Sequence, residues 1–120
     1  MADKIVLVVD DSRVARMMTR AAIAKLHPTW PVIEAASGEE ALTAVALDQP
    51  DYVLMDVNMP GIGGLETARQ LRSRCPSAII SLLTANIQEP VRQQAEAMGV
   101  SFMSKPLKDE ALARFLVSVP

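Results

Sequence analysis

Five side chains able to take part in metal or phosphorus chemistry stand where short apolar runs stop. Asp10 and Asp11 follow IVLVV, Asp56 follows YVLM, Thr84 follows AIISLL, and Lys105 with Pro106 follows VSFMS. Carboxylates crowded together repel one another, and a divalent cation relieves the repulsion. Oxygen donors without histidine or cysteine suit Mg2+, which keeps several waters and leaves positions open for phosphate oxygens. A carboxylate is already ionised at neutral pH, so unlike a serine it needs no general base to attack phosphorus. Phosphoryl transfer then requires in-line placement and neutralisation of three equatorial oxygens, which a cation, an ammonium and a hydroxyl can share. Asp56 as acceptor, Lys105, Thr84 and a magnesium ion at the aspartates meet that requirement, provided the chain brings them together.

Taken singly, each residue has a simpler reading. Asp11, next to Ser12, could cap a helix, and Asp56 could close an Asx-type turn ahead of NMPG. Thr84 could be an ordinary β-branched strand end, and Lys105 a solvated lysine in a turn. Turn chemistry does not call for these types at four strand ends in one chain, so the set favours the chemical reading.

Short β-branched runs alternate with longer segments of helical period, the pattern of βαβ units and a parallel sheet. Strands are expected at Ile5–Val9, Pro31–Ala35, Tyr52–Met55, Ala78–Leu83 and Val100–Ser104, nearly all apolar, as when helices cover both faces. Between and after them, SRVARMMTRAAIAKL, SGEEALTAVAL, GLETARQLRSR, QEPVRQQAEAMG and LKDEALARFLVSV read as helices. In the first, Val14, Met17, Met18, Ala21, Ala22 and Leu26 fall near one stripe, with Arg13, Arg16 and Arg20 mostly off it, so an amphipathic helix is expected. Ser37 is the expected N-cap of the second, with glutamates in its first turn. Pro90 is tolerable in a first turn, and Gly99 terminates the fourth helix. The result is an α/β fold of (βα)5 type, doubly wound, in which ligands bind beyond the carboxyl ends of the strands.

The chain has 120 residues, is 50% hydrophobic and carries a formal charge of −2. One domain over residues 1–120 is therefore expected. Acids and bases are scattered, without the basic stripe that phosphate backbones demand, so direct nucleic-acid contact is not expected. Cys75 has no partner in the chain, which excludes an internal disulfide and fits a reducing cytoplasm. The apolar opening, Ile5 to Val9, is too short for a signal peptide or a membrane span, so a soluble, unexported protein without membrane contact is expected.

With these pieces in place the sequence resembles the receiver domain of bacterial two-component response regulators, the chemotaxis receivers included. The resemblance rests on VVDDS at 8–12, LMDVNMPGIGGLE at 54–66, LTA at 83–85 and FMSKP at 102–106, and runs over essentially the whole chain. It implies a flavodoxin-like five-stranded sheet of order 2-1-3-4-5 and a phosphorylation-activated signalling switch. A sensor histidine kinase or phosphotransfer protein would donate its phosphoryl group to Asp56. By the same resemblance Asp11, Asp56 and the backbone carbonyl of Asn58 would ligate Mg2+ directly, and Asp10 mainly through water. Lys105 would pair with the acceptor and join Pro106 through a cis bond, and Thr84 would bind a phosphoryl oxygen.

Phe102 takes the place of the family's switch aromatic, turning inward as Thr84 moves and altering the face of the fourth helix, fifth strand and fifth helix for an output partner. Asn58 and Asn86 would govern water access to the acyl phosphate, and the small Ala85 would admit the donor histidine. Solvent-side residues of the first helix, with Pro106 and Leu107, are the kinase contacts the resemblance implies. Such a domain catalyses only its own phosphorylation and dephosphorylation.

Two other readings fit the residues less well. An aspartyl-phosphate-forming phosphohydrolase usually shows Asp-x-Asp on its first strand, whereas here that strand ends Asp-Asp-Ser. A degenerate receiver acting only as a binding module would not need the full set of Asp10, Asp11, Asp56, Thr84 and Lys105. The GIGG segment is not a dinucleotide fingerprint, because Glu66 stands at the third glycine position; it is expected to permit a tight loop beside the site. His27 reads as structural at a helix end, Trp30 as a loop anchor, Cys75 as inert, and Met17, Met18 and Met98 as core or edge packing.

Overall fold

The apolar runs pair as five parallel strands in a computed structural model that describes residues 3–86 and 88–117. The strands are β1 (Val6–Val9), β2 (Val32–Ala35), β3 (Tyr52–Asp56), β4 (Ile79–Thr84) and β5 (Ser101–Ser104). The helices are α1 (Arg13–Leu26), α2 (Gly38–Leu47), α3 (Gly63–Arg74), α4 (Glu89–Ala97) and α5 (Asp109–Phe115). Sheet order is β2-β1-β3-β4-β5, the flavodoxin-like order expected. No helix among the described residues is long and apolar enough to cross a membrane.

Strand limits differ from the expected ones by a residue, and the ladder explains the differences at β2, β3 and the end of β4. Pro31 lies outside β2, but its carbonyl still accepts from Val6 N–H at 3.1 Å, the only ladder role open to a residue without a donor. Asp56 belongs to β3 because it pairs with Leu83 of β4, and Thr84 belongs to β4 because it pairs with Ser104. Helix α5 is shorter than expected. Leu107 precedes it, Lys108 and Leu116 are its caps, and Ser118 and Val119, expected to continue it, lie outside the described residues.

Strand pleating sends alternate residues to opposite faces and so divides the core. Leu7, Val9, Val53, Met55, Ile80 and Leu82 pack against Ala41 and Val45 of α2, Ala68 and Leu71 of α3, and Ala95 of α4. Val6, Val8, Tyr52, Leu54 and Leu83 pack against Ile23 of α1 and Leu112 and Phe115 of α5. Helix α2 approaches α3 so closely that a Cβ on Gly38 would lie 2.0 Å from Thr67 Oγ1.

Helix α1 departs from its expected orientation. Val14, Met17 and Met18 are 65%, 57% and 69% exposed, and Leu26 is also exposed, so the bulky apolar stripe faces solvent. The inward side is Ala15, Arg16, Thr19, Ala22 and Ile23, of which only Ile23 is fully buried. These residues also recur at helical period; Ala15, Thr19 and Ala22 are small, and Ile23 supplies the one fully buried side chain. Periodicity alone could not choose between the two stripes. Met17 and Met18 are therefore not packing residues, whereas Met98 is packed against the α2/α3/α4 core as expected.

At the amino-terminal end of the sheet the aromatic residues form a column. The His27 ring stacks on Trp30 at 3.6 Å, Trp30 lies 5.9 Å from Tyr52, and Tyr52 meets Phe115 edge-on at 5.3 Å. Tyr52 donates its hydroxyl to the Leu116 carbonyl at 2.7 Å, tying β3 to the end of α5. Trp30 thus anchors its loop, and His27 caps α1, its backbone N–H donating to the Ile23 carbonyl.

Ser81, in the middle of β4, is fully buried, and its Oγ has no hydrogen-bond partner among the described residues. An unsatisfied buried hydroxyl is destabilising, and its removal is neutral or favourable. Ser81→Ala is expected to leave unfolding free energy unchanged or raise it by up to about 1 kcal/mol in urea titration; a clear loss would mean the hydroxyl has a partner.

Candidate functional site

Register brings the carboxylates together. Val8 pairs with Leu54 and Val9 with Met55, so the next positions, Asp10 and Asp56, leave neighbouring strands side by side. By strand alternation both lie on the α1 face, and both are buried, at 4% and 7% exposure. Asp11, one residue on, is exposed. One oxygen from each of Asp10, Asp11 and Asp56 lies within 4.8 Å of the others. The donors are oxygens without imidazole or thiolate, which fits a hard divalent cation such as Mg2+.

The simple readings prove to be partly true and do not compete with the chemical one. Asp10 Oδ1 accepts from Ser12 N–H at 2.9 Å and Asp56 Oδ1 from Asn58 N–H at 3.2 Å, so both carboxylates make Asx-type contacts. In each case the contact holds one oxygen and orients the other. Asp11 does not cap α1; Ser12 does, accepting from Ala15 N–H at 3.2 Å.

Lys105 supplies the positive charge. Its Nζ lies 3.4 Å from Asp10 Oδ2 and 3.3 Å from Asp56 Oδ2, and its backbone N–H donates to the Thr84 carbonyl at 3.0 Å. The Lys105–Pro106 peptide is cis. Partial burial of the ammonium works against its charge, but Asp10 and Asp56 outweigh that, and its pKa is raised.

Thr84 is buried at the end of β4, with its hydroxyl turned onto its own loop: Oγ1 donates to the Asn86 carbonyl at 3.1 Å and accepts from Asn86 N–H at 3.2 Å. Ala85, Asn86 and Asn58 are exposed at the rim. A cavity of about 240 Å³ is lined by Val57, Asn58, Thr84, Asn86, Val91 and Phe102, among others. Phe102, half-buried against the α2/α3/α4 core, thus shares a space with Thr84. Asp10, Lys105 and Pro106 border a second cavity of about 320 Å³ running between α1 and α5 past Met18 and Leu107.

Two neighbours of the site escaped the sequence reading. Gly64, the second residue of α3, lies against the end of β3: a Cβ there would lie 2.5 Å from the Asp56 carbonyl oxygen and 2.7 Å from Val57 Cα. The GIGG segment is a tight loop as expected, and Gly61 and Gly63 take positive φ, but Gly64 is needed for close approach instead. Arg16, read as a solvent-side arginine, reaches the Asp10 carbonyl. Helical phase relative to Ala15, Thr19 and Ala22 was the available signal for its inward position.

A family model described as the response regulator receiver domain matches residues 6–116. The chain belongs to that family. Phosphorylation on an aspartate is typical of its members, and they generally bind Mg2+ at an acidic cluster. This receiver is 39% identical over 101 residues to the transcriptional activator protein ExaE of Pseudomonas putida, a match covering 83% of this chain and 47% of ExaE. It is 38% identical over 111 residues to the cyclic di-GMP phosphodiesterase response regulator RpfG of Xanthomonas campestris, covering 89% of this chain and 29% of RpfG. The receiver therefore spans about half or less of these relatives. The solved structure of chemotaxis protein CheY4 of Vibrio cholerae superposes with a TM-score of 0.88 at 31% identity, covering 99% of this chain and all of that one.

Two outcomes follow from the geometry. Gly64→Ala is expected to lower stability by about 3 kcal/mol, because a methyl group would press on backbone that cannot yield; a urea midpoint close to that of the parent would refute the close approach. Because the pKa of Lys105 is raised in the fold, its contribution to stability is fully present below its ordinary value of 10.5 and is lost as pH rises through the folded value. The stability advantage of the parent over Lys105→Met should stay level from about pH 8 to 10 and shrink above that. An advantage that grows at high pH would contradict the ion pairs.

Proposed function

We propose that this receiver is a phosphorylation-activated switch in which Asp56 accepts a phosphoryl group from the phosphohistidine of a sensor kinase or phosphotransfer protein. One observation carries the reading: a buried carboxylate stands within 4.8 Å of two others and 3.3 Å from an ammonium, at the carboxyl end of a parallel sheet. Asp11, Asp56 and the Asn58 carbonyl are assigned as direct ligands of Mg2+, with Asp10 acting mainly through water. The cation, when bound, neutralises charge on the transferring phosphoryl oxygens.

The remaining work belongs to the chain. Asp56 Oδ attacks phosphorus; the new P–O bond replaces the donor P–N bond, whose electron pair stays on the imidazole nitrogen. Lys105, already paired with Asp56, follows the charge onto the phosphoryl oxygens. The Thr84 hydroxyl leaves Asn86 to donate to one of them, and Phe102 turns into the space vacated, changing the face of α4, β5 and α5 that an output partner reads. Ala85 leaves room for the donor histidine, Asn58 and Asn86 bound the path of hydrolytic water, and Pro106 holds the Lys105 loop.

Val14, Met17 and Met18 on α1, with Leu107 across the adjoining groove, form the apolar rim on which the donor docks. The domain spans residues 1–120, works in the cytoplasm without contacting nucleic acid or membrane, and turns over no metabolite. Incubation with acetyl phosphate and MgCl2 is expected to add one phosphoryl group by intact mass, and chelator or Asp56→Asn should abolish the gain. Labelling of Asp56→Asn at parental stoichiometry would place the acceptor elsewhere, and rapid phosphate release from an added monoester would favour a phosphohydrolase.

A further inference from the structure

Asp10 is bonded on every side. Its N–H donates to the Ala35 carbonyl of β2 at 3.1 Å, its Oδ1 accepts from Ser12 N–H at 2.9 Å, and its Oδ2 faces Lys105 Nζ at 3.4 Å. The fourth contact comes from a residue with no role in the chemistry above: Arg16 Nη1 donates to the Asp10 carbonyl oxygen at 2.6 Å. That oxygen belongs to the peptide joining Asp10 to Asp11, so whatever holds it also sets the plane from which Asp11 departs.

Arg16 is itself held. Its Nε donates to Glu34 Oε1 at 3.0 Å, and the other oxygen of Glu34 accepts from Arg20 Nη1 at 2.8 Å. The Arg16 side chain is only 14% exposed, and Glu34 sits on β2 in register with Val8, two residues before Asp10. The hydrogen bond from Arg20 lowers the pKa of Glu34 against the opposing effect of burial, and Arg16 adds to the lowering, so the pair stays charged at neutral pH. A guanidinium carries its donors in a rigid fork, so anchoring one side on a strand fixes where the other points.

We propose that Arg16 is a positioning residue for the cation site: by tying the Asp10 carbonyl to Glu34 on the neighbouring strand, it fixes the Asp10–Asp11 peptide so that both carboxylates gather on Asp56. This deepens the magnesium reading of the aspartates and rests on it. It also makes a prediction opposite in sign to plain electrostatics. A guanidinium near a cation site repels the cation, so its removal would tighten binding if charge were its only effect. A positioning role requires removal to weaken it.

The test is calorimetric titration of the full chain with MgCl2, together with acetyl phosphate labelling. Arg16→Ala is expected to weaken Mg2+ binding about tenfold, and Glu34→Gln, which loosens the anchor, about threefold in the same direction. Arg20→Ala, which touches only the far oxygen of Glu34, should stay within about twofold of the parent. At saturating Mg2+ the labelling rate of Arg16→Ala should return to within about twofold of the parent, separating placement of the cation site from the chemical step. Parental or tighter Mg2+ binding by folded Arg16→Ala overturns the proposal. Should circular dichroism show that variant unfolded, Glu34→Gln decides, and unchanged affinity there overturns it equally. A parent chain that binds no Mg2+ would overturn both this inference and the magnesium reading, whereas a parent that binds while Arg16→Ala binds equally refutes only the positioning role.

Discussion

The site depends on keeping carboxylates together that would separate if they were free. Two are buried, where water cannot screen them, and the third is drawn in beside them. Such a cluster persists because each member is fixed by backbone whose position is set elsewhere. β1 and β3 are locked side by side by their ladder, Ser12 and Asn58 N–H groups hold one oxygen each of Asp10 and Asp56, and Lys105 faces the remaining oxygens. Three carboxylates share one ammonium, an excess of acidic oxygens that suits a further cation.

Much of this was legible from residue order. In a parallel sheet of known order, residues ending adjacent strands must be neighbours, which places Asp10 beside Asp56; Lys105 ends β5, one strand further off, and its long side chain reaches both carboxylates past the end of β4. The sheet order itself followed from the family resemblance and not from periodicity. Asp56 and Thr84 proved to be the last strand residues, not the first loop residues, because hydrogen bonding continues while there is a neighbour to pair with.

What was not legible has a common physical cause. Arg16, Gly64 and the rotation of α1 all depend on how closely two elements approach, and a one-dimensional pattern carries no distances. The α1 stripe is the clearest case. Hydrophobic period selected the stripe through Val14, Met17 and Met18, whereas the helix turns Ile23, with Ala15, Thr19 and Ala22 beside it, to the sheet and leaves Val14, Met17 and Met18 in water. Burial of large apolar side chains usually stabilises a fold, and the exposure of these three is what suggested the docking rim proposed above. Gly64 likewise looked like one of several loop glycines until the backbone of β3 was found behind it.

The aromatic column at the other end of the molecule has a practical corollary. Trp30 is the sole tryptophan in the chain, and it sits before β2, sandwiched between an imidazole and a phenol at the amino-terminal edge of the sheet, a full strand length from the acidic pocket. Its emission is therefore expected to follow the integrity of the stack, which lies far from the carboxylates. Spectroscopic work on ion or phosphoryl occupancy needs a chromophore introduced near the carboxyl ends of the strands, while the native indole serves as an internal gauge of global unfolding.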